Sequence, residues 1–194
     1  MVNVREATID DLPQAAETLA AAFADYPWTR HTVAHDDHVG RIRRIQALFF
    51  EHIGLAHGRV WVADDGRAVA VWTTPDTDAE AAFGEIGPLV TELAGDRAEI
   101  SERAEAALNP YRPTEPVWFL GTVGVHPAVQ GKGLGRAVLE PGIQAAAEAK
   151  VPAFLETADP GNVAFYRKLG FEVVAEVDVP DNGPKTWCMS RPPH

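Results

Sequence analysis

Apolar positions change their spacing several times along the chain, and each change marks an element. Residues 3–7 read as a first strand. Leu12, Ala16, Leu19 and Phe23 then recur at helical spacing, with Thr8 or Asp10 as cap and Pro13 inside the first turn. The run Asp25-Tyr26-Pro27-Trp28 ends that helix. A second helix is predicted from about residue 37 to 55, with Val39, Ile42, Ile45, Phe49 and Ile53 on its inner face and Gly58 closing it. Residues 59–63 and 68–73 are β-rich, and the Asp64-Asp65-Gly66-Arg67 between them reads as a hairpin turn.

Beyond the hairpin, residues 76–108 are rich in Ala and Glu and read as helix, with interruptions expected at Gly87-Pro88 and at Gly95. Residues 117–125 form a strand and 133–149 a helix, which Pro141 should kink by removing a backbone hydrogen bond. A strand at 153–157, a short helix at 162–169 before Gly170, and a strand at 171–179 follow. Residues 180–184 turn into a last strand at 185–189. The order β-α-α-β-β-α-α-β-α-β-α-β-β predicts an α/β chain of the mixed α+β kind, one domain over residues 1–194 with a helical insert at about 76–112.

Composition adds boundaries. A chain of 194 residues with 46 % hydrophobic and 23 % charged positions suits a single buried core. One cysteine, Cys188, allows no intrachain disulfide and fits a cytoplasmic protein. No secretory signal or membrane-length apolar run is visible, so no membrane partner is expected. The net charge of −11 repels nucleic-acid phosphates and favours approach of cationic amines. The histidines and aspartates at 31, 35, 36, 37 and 38 lack metal-ligand spacing, so no metal is assigned. His31 is assigned instead to a substrate pocket.

The sharpest local signal is the run from Val123, Gly124 and Val125 through Gln130, Gly131, Lys132, Gly133, Leu134, Gly135 and Arg136. A buried strand ends, a loop crosses, and glycines open a helix. Glycines let a phosphate approach the main chain, and the first free amides of a helix favour an anion. Lys132 and Arg136 add charge at the rim. The run is neither the Gly-x-Gly-x-x-Gly of dinucleotide folds nor a Walker loop.

The pattern Gln-x-x-Gly-x-Gly after an apolar strand resembles the acetyl-CoA loop of the GNAT acetyltransferase superfamily. The resemblance continues at residues 162–171, Asn-Val-Ala-Phe-Tyr-Arg-Lys-Leu-Gly-Phe. It implies a twisted, mostly antiparallel mixed sheet with helices on both faces, and acetyl-CoA as co-substrate, its pyrophosphate held at 130–136. It also implies that the strand near Val123–Val125 splays from the next strand and offers unpaired amides. Gly121 and Gly124 suit such a strand. Asn162 and Tyr166 are four apart on one helix and face the same way. The resemblance gives Asn162 to the pantetheine arm and Tyr166 to the CoA sulfur as acid. Glu156, at the end of the 153–157 strand, is the candidate base, with Glu85 as a second.

Longer stretches, at residues 21–27, 29–33, 60–66, 68–75, 118–120, 151–157 and 186–189, resemble the puromycin N-acetyltransferases within that superfamily. The match is thinnest across 76–112, where Phe83, residues 85–88 and Arg112-Pro113 still fit. This resemblance implies a small-molecule amine acceptor, puromycin or a related aminonucleoside, and thus antibiotic inactivation. Tyr26, Trp28, Phe83 and Trp118 become candidate aromatic walls of its pocket, with His31 and Glu85 beside them. Another small-molecule or peptide amine remains open as acceptor, as does a catalytically silent acyl-CoA sensor. The chain is expected to act as a monomer or homodimer.

Overall fold

The two β-rich runs of the middle of the chain form the centre of the fold in a computed structural model that describes residues 2–193. β2 (Arg59–Ala63) and β3 (Ala68–Thr73) pair in register around the Asp64–Arg67 turn. They belong to a seven-stranded sheet ordered β1-β2-β3-β4-β5-β7-β6. The other strands are β1 (Val4–Glu6), β4 (Trp118–Val125), β5 (Ala153–Thr157), β6 (Glu172–Asp178) and β7 (Lys185–Arg191). Every neighbouring pair is antiparallel except β4 and β5.

Alternation along the strands divides the core between two faces. Trp61, Ala63, Ala68, Ala70 and Trp72 point to one face, where α6 (Leu134–Glu148) covers them with Val138, Leu139, Ile143 and Ala146. Val60, Val62, Val69 and Val71 point to the other, against Ala15 and Leu19 of α1 (Leu12–Phe23) and against Phe50. That second face also carries α2 (Pro27–Thr32), α3 (His38–Leu48), α4 (Ala79–Ala94) and α5 (Ala98–Leu108). The last helix, α7 (Pro160–Arg167), joins the α6 side through Val163 and Tyr166.

Three local readings of the sequence need correction. The Asp25–Trp28 break is followed by α2, a six-residue helix with Pro27 at its first position, where a missing amide is harmless. The predicted 37–55 helix changes at Phe49 into a π-helical stretch, Phe49–Leu55, and Val39 is exposed rather than inward. α4 runs through Gly87-Pro88 without a break. Ala82, Ile86 and Val90 keep one stripe packed on Ile53, Leu48 and Phe49, and that burial outweighs the bond lost at Pro88. The expected interruption at Gly95 is present, at φ +63°.

Pro141 lies within a continuous α6. Its neighbour explains the local composition. A Cβ on Gly142 would stand 2.4 Å from Cε2 of Trp72, so the indole lies flush against the helix backbone.

β4 carries the feature that shapes the site. Val71 faces Thr122 but Trp72 faces Leu120, so Gly121 is an extra residue on β4. A bulge of this kind switches every later side chain to the other face. On its other edge β4 pairs with β5 only from Trp118 to Leu120. Beyond Leu120 the two strands part.

Candidate active site

The divergence of β4 and β5 opens a cavity of about 780 Å³ that reaches from α7 through the sheet to the helices of the opposite face. Past Leu120 the β5-facing edge of β4 has no strand partner, and Gly121, Thr122 and Val123 line the cavity there. The main chain at this point therefore has amides that the sheet does not use.

On the α7 side, Asp159 caps the helix by accepting from the Gly161 amide at 2.7 Å, with Pro160 in the first turn. Asn162 is thus not needed as a cap. Its Nδ2 donates to Thr157 Oγ1 at 3.2 Å at the end of β5. One turn later Tyr166 is buried yet lines the cavity. Burial, with a smaller contribution from the nearby Tyr26, pushes its phenol well above the ordinary tyrosine range. Tyr26 closes a polar chain here. Its hydroxyl accepts from the Ala158 amide at 2.7 Å and lies 3.1 Å from Thr157 Oγ1. Burial raises its pKa too.

The glycine loop lies outside the cavity, at the exposed start of α6. Gly131 and Gly133 have φ of +78° and +80°, a conformation that favours glycine, and a Cβ on either would point into open space. No side chain caps α6, so its first amides are free of a side-chain partner. Gln130 donates to the Val125 carbonyl at 3.1 Å and ties the loop to the end of β4. Lys132 and Arg136 are exposed at the rim, and Leu134 is buried under the first turn. Gly135 leaves room beside Val125 and Phe165. Gly124 has a different cause: its Cβ would press at 3.0 Å on Ala22 and Leu19 of α1.

On the helical face the cavity is walled by Trp28, Phe49, Phe83, Phe119 and Leu108. Phe49 and Phe83 meet edge to face at 6.2 Å. Arg112 sits among them, 5.9 Å over the Phe119 ring. Its Nε and Nη2 donate to the two Glu156 oxygens, both at 2.8 Å, and Nη2 also reaches Glu105 at 2.8 Å. Burial opposes its charge, but the bond to Glu156 and the fields of both carboxylates prevail and hold the guanidinium protonated. Glu156 therefore reaches the cavity as an ion-paired carboxylate, with both oxygens already bonded.

Three residues assigned to the acceptor pocket lie elsewhere. Trp118 stacks on Trp61 at 6.2 Å beneath α6, because the wall position on β4 belongs to its neighbour Phe119. His31 packs toward Pro180, with Nε2 3.1 Å from that carbonyl. Glu85 is exposed on the outer side of α4 and pairs with His52 at 3.2 Å. Phe119, Arg112, Glu105 and Gln46 took no part in the sequence assignment. Only Gln46 left a signal, as a polar residue one turn from Ile42 on an apolar stripe. Among the described residues no group of three or more His, Cys, Asp or Glu side chains could hold a metal ion, and no helix is long and apolar enough to cross a membrane.

The chain is similar to known proteins. The acetyltransferase (GNAT) family model matches residues 20–171. An uncharacterized N-acetyltransferase of Schizosaccharomyces pombe is 25 % identical over 187 residues, covering 83 % of this chain and 70 % of that one. A structure described as histone acetyltransferase HPA2 and related acetyltransferase, from Corynebacterium glutamicum, superposes with a TM-score of 0.77 at 26 % identity, over 100 % of this chain and 97 % of that one. Arylalkylamine N-acetyltransferase 2 of Aedes aegypti shares the fold alone, at TM-score 0.65 and 13 % identity over 100 % and 99 % of the two chains. A parted β4–β5 pair beside a glycine-opened helix, in a chain that the family model covers for most of its length, places this protein in the acetyltransferase (GNAT) family, as an N-acetyltransferase.

Proposed function

We propose that this enzyme acetylates the free amine of puromycin or a related aminonucleoside by direct transfer from acetyl-CoA. The observation that carries this reading is the aromatic-walled cavity beside Tyr166. Its volume of about 780 Å³ lies within the ~300–1,000 Å³ of drug-sized sites. An O-methyltyrosyl ring suits walls made of Trp28, Phe49, Phe83 and Phe119.

The residues present fit the coenzyme. Gly131, Gly133 and the open first turn of α6 leave main chain clear for its diphosphate, and Lys132 and Arg136 stand at the rim. Asn162 and the free edge of β4 suit the pantetheine amides. Bound there, the coenzyme supplies an acetyl thioester. Tyr166 keeps its proton at neutral pH and holds it for the departing sulfur. The amides of β4 near Gly121–Val123 supply donors for the carbonyl oxygen. Glu156 and Glu105 outnumber Arg112 by one charge and so favour an ammonium at the cavity. With both Glu156 oxygens engaged, the amine proton leaves through water. An α-amino group of pKa ~7.7–8.0 is already neutral in about a tenth of molecules at pH 7, so little base strength is needed.

Thiol release from acetyl-CoA tests the reading. Turnover with puromycin should exceed that with lysine peptides and polyamines at least tenfold, and equal or absent puromycin turnover would reject it. The aromatic walls also favour a second acceptor class, simple arylalkylamines, which the same assay separates. Binding of the coenzyme with no turnover on any amine would leave a silent acyl-CoA sensor.

A further inference from the structure

The α3 end of the cavity is largely apolar, and Gln46 and Thr122 are buried polar exceptions. Gln46 is 6 % and Thr122 is 7 % exposed, and both line the cavity among Phe23, Ile42, Phe49 and Val71. Neither Gln46 Oε1 nor Thr122 Oγ1 has a hydrogen-bond partner among the described residues. A buried oxygen left in that state is destabilising, and native proteins keep few of them.

The backbone departs from regularity beside each one. The α-helical part of α3 gives way to π-helix at Phe49, three residues after Gln46. Such turns concentrate at functional sites. The bulge at Gly121 comes immediately before Thr122. Trp118 and Leu120 face α6, so regular alternation would send position 122 to the same side. The extra residue turns Thr122 instead to the face of its register partner Val71, into the cavity. Two irregular elements from distant parts of the sequence thus bring two unsatisfied oxygens into one apolar space.

We propose that Gln46 and Thr122 form a hydrogen-bonding subsite that selects aromatic amines bearing a hydroxyl on the ring. This rests on the cavity being the acceptor site. Gln46 Oε1 only accepts and so needs the O–H of a phenol, while the Thr122 hydroxyl can donate to a phenol or an ether oxygen; a bare phenyl ring leaves both orphaned. Sites built this way discriminate strongly against the analogue that lacks the oxygen. The methoxy oxygen of puromycin meets this chemistry only at Thr122, whose hydroxyl can donate to it.

Titration calorimetry of tyramine and phenethylamine into the CoA-loaded protein tests the subsite without requiring turnover. The wild-type chain should bind tyramine about tenfold or more tightly than phenethylamine, and Gln46→Leu and Thr122→Val should each reduce that preference to about twofold or less. Equal affinities in the wild type, no binding of either amine, or a preference that survives both substitutions would overturn the subsite. A protein that prefers tyramine through these residues but acetylates no amine keeps the subsite and loses the transfer reading. Thermal melting of the unliganded variants is the second measurement. Removing an orphaned oxygen should leave the melting temperature unchanged or raise it. A fall of more than about 4 °C in both variants would assign the oxygens to structural bonds and overturn the subsite.

Discussion

The two sides of the parted strands are built from different materials. On the α6–α7 side the exposed features are main chain: glycines at positive φ, uncapped first-turn amides and the free edge of β4. On the helical side they are side chains drawn from α2, α3, α4, α5, β4 and β5. Members of this family share acetyl-CoA and differ in their amines. Under the proposed function, the ligand common to all would be met by backbone, which tolerates drift in side chains, and the variable ligand by side chains, which substitution can alter without disturbing the sheet.

The largest test of this contrast falls on the residue where both sides meet. Tyr166→Phe should lower kcat about 100-fold with little change in KM for acetyl-CoA, and an unchanged kcat would remove the phenol from acid catalysis. The pH profile sharpens the point. The working form is protonated, and burial raises the pKa, so activity should rise as the amine deprotonates and then hold beyond pH ~10. An alkaline fall beginning by pH ~9 would contradict it.

Next is the backbone side. Gly133→Val forces a β-branched residue to a φ near +80° and places its Cβ in the open space before α6. CoA affinity should fall about tenfold or more by calorimetry, with the fold intact by circular dichroism; unaltered affinity would mean that the turn does not meet the diphosphate. Gly142→Ala should leave CoA affinity nearly intact but cost about 1–3 kcal/mol of stability, read as a drop of several degrees in melting temperature. The smallest effect belongs to Glu85→Gln, on the outer face of α4. It should change the acceptor KM less than about twofold, and a larger change would draw the cavity boundary in the wrong place.

What the sequence made legible follows the same division. The hairpin at β2–β3, the β5 strand and the glycine-opened helix were readable because each is specified by contiguous residues and local φ demands. Tyr26, Trp28 and Phe83, offered as walls of an acceptor pocket, were found lining the cavity. Trp118 was not, since its neighbour Phe119 takes the face toward the opening and a local pattern does not show which of two adjacent aromatics does. Glu85 and His31 lie elsewhere for a related reason: which face a helix turns toward the cavity depends on tertiary packing. Arg112 sits in a Pro-rich stretch with no periodic pattern, and its partners lie 7 and 44 residues away. α4 ignored its proline because a well-packed stripe on both sides outweighs one absent bond.

The contact between Trp72 and Gly142 has a mechanical consequence. Pro141 offers no amide to the carbonyl of Ala137, so the ladder of α6 is broken one residue before the indole bears on it. The helix is thus clamped to the sheet roughly 12 Å from its first turn, at a rung where its own spine is weakest. The seat of α6 on the sheet thus rests on a tryptophan that does not line the cavity, and mutations along β3 would be felt first as a loss of grip on this helix.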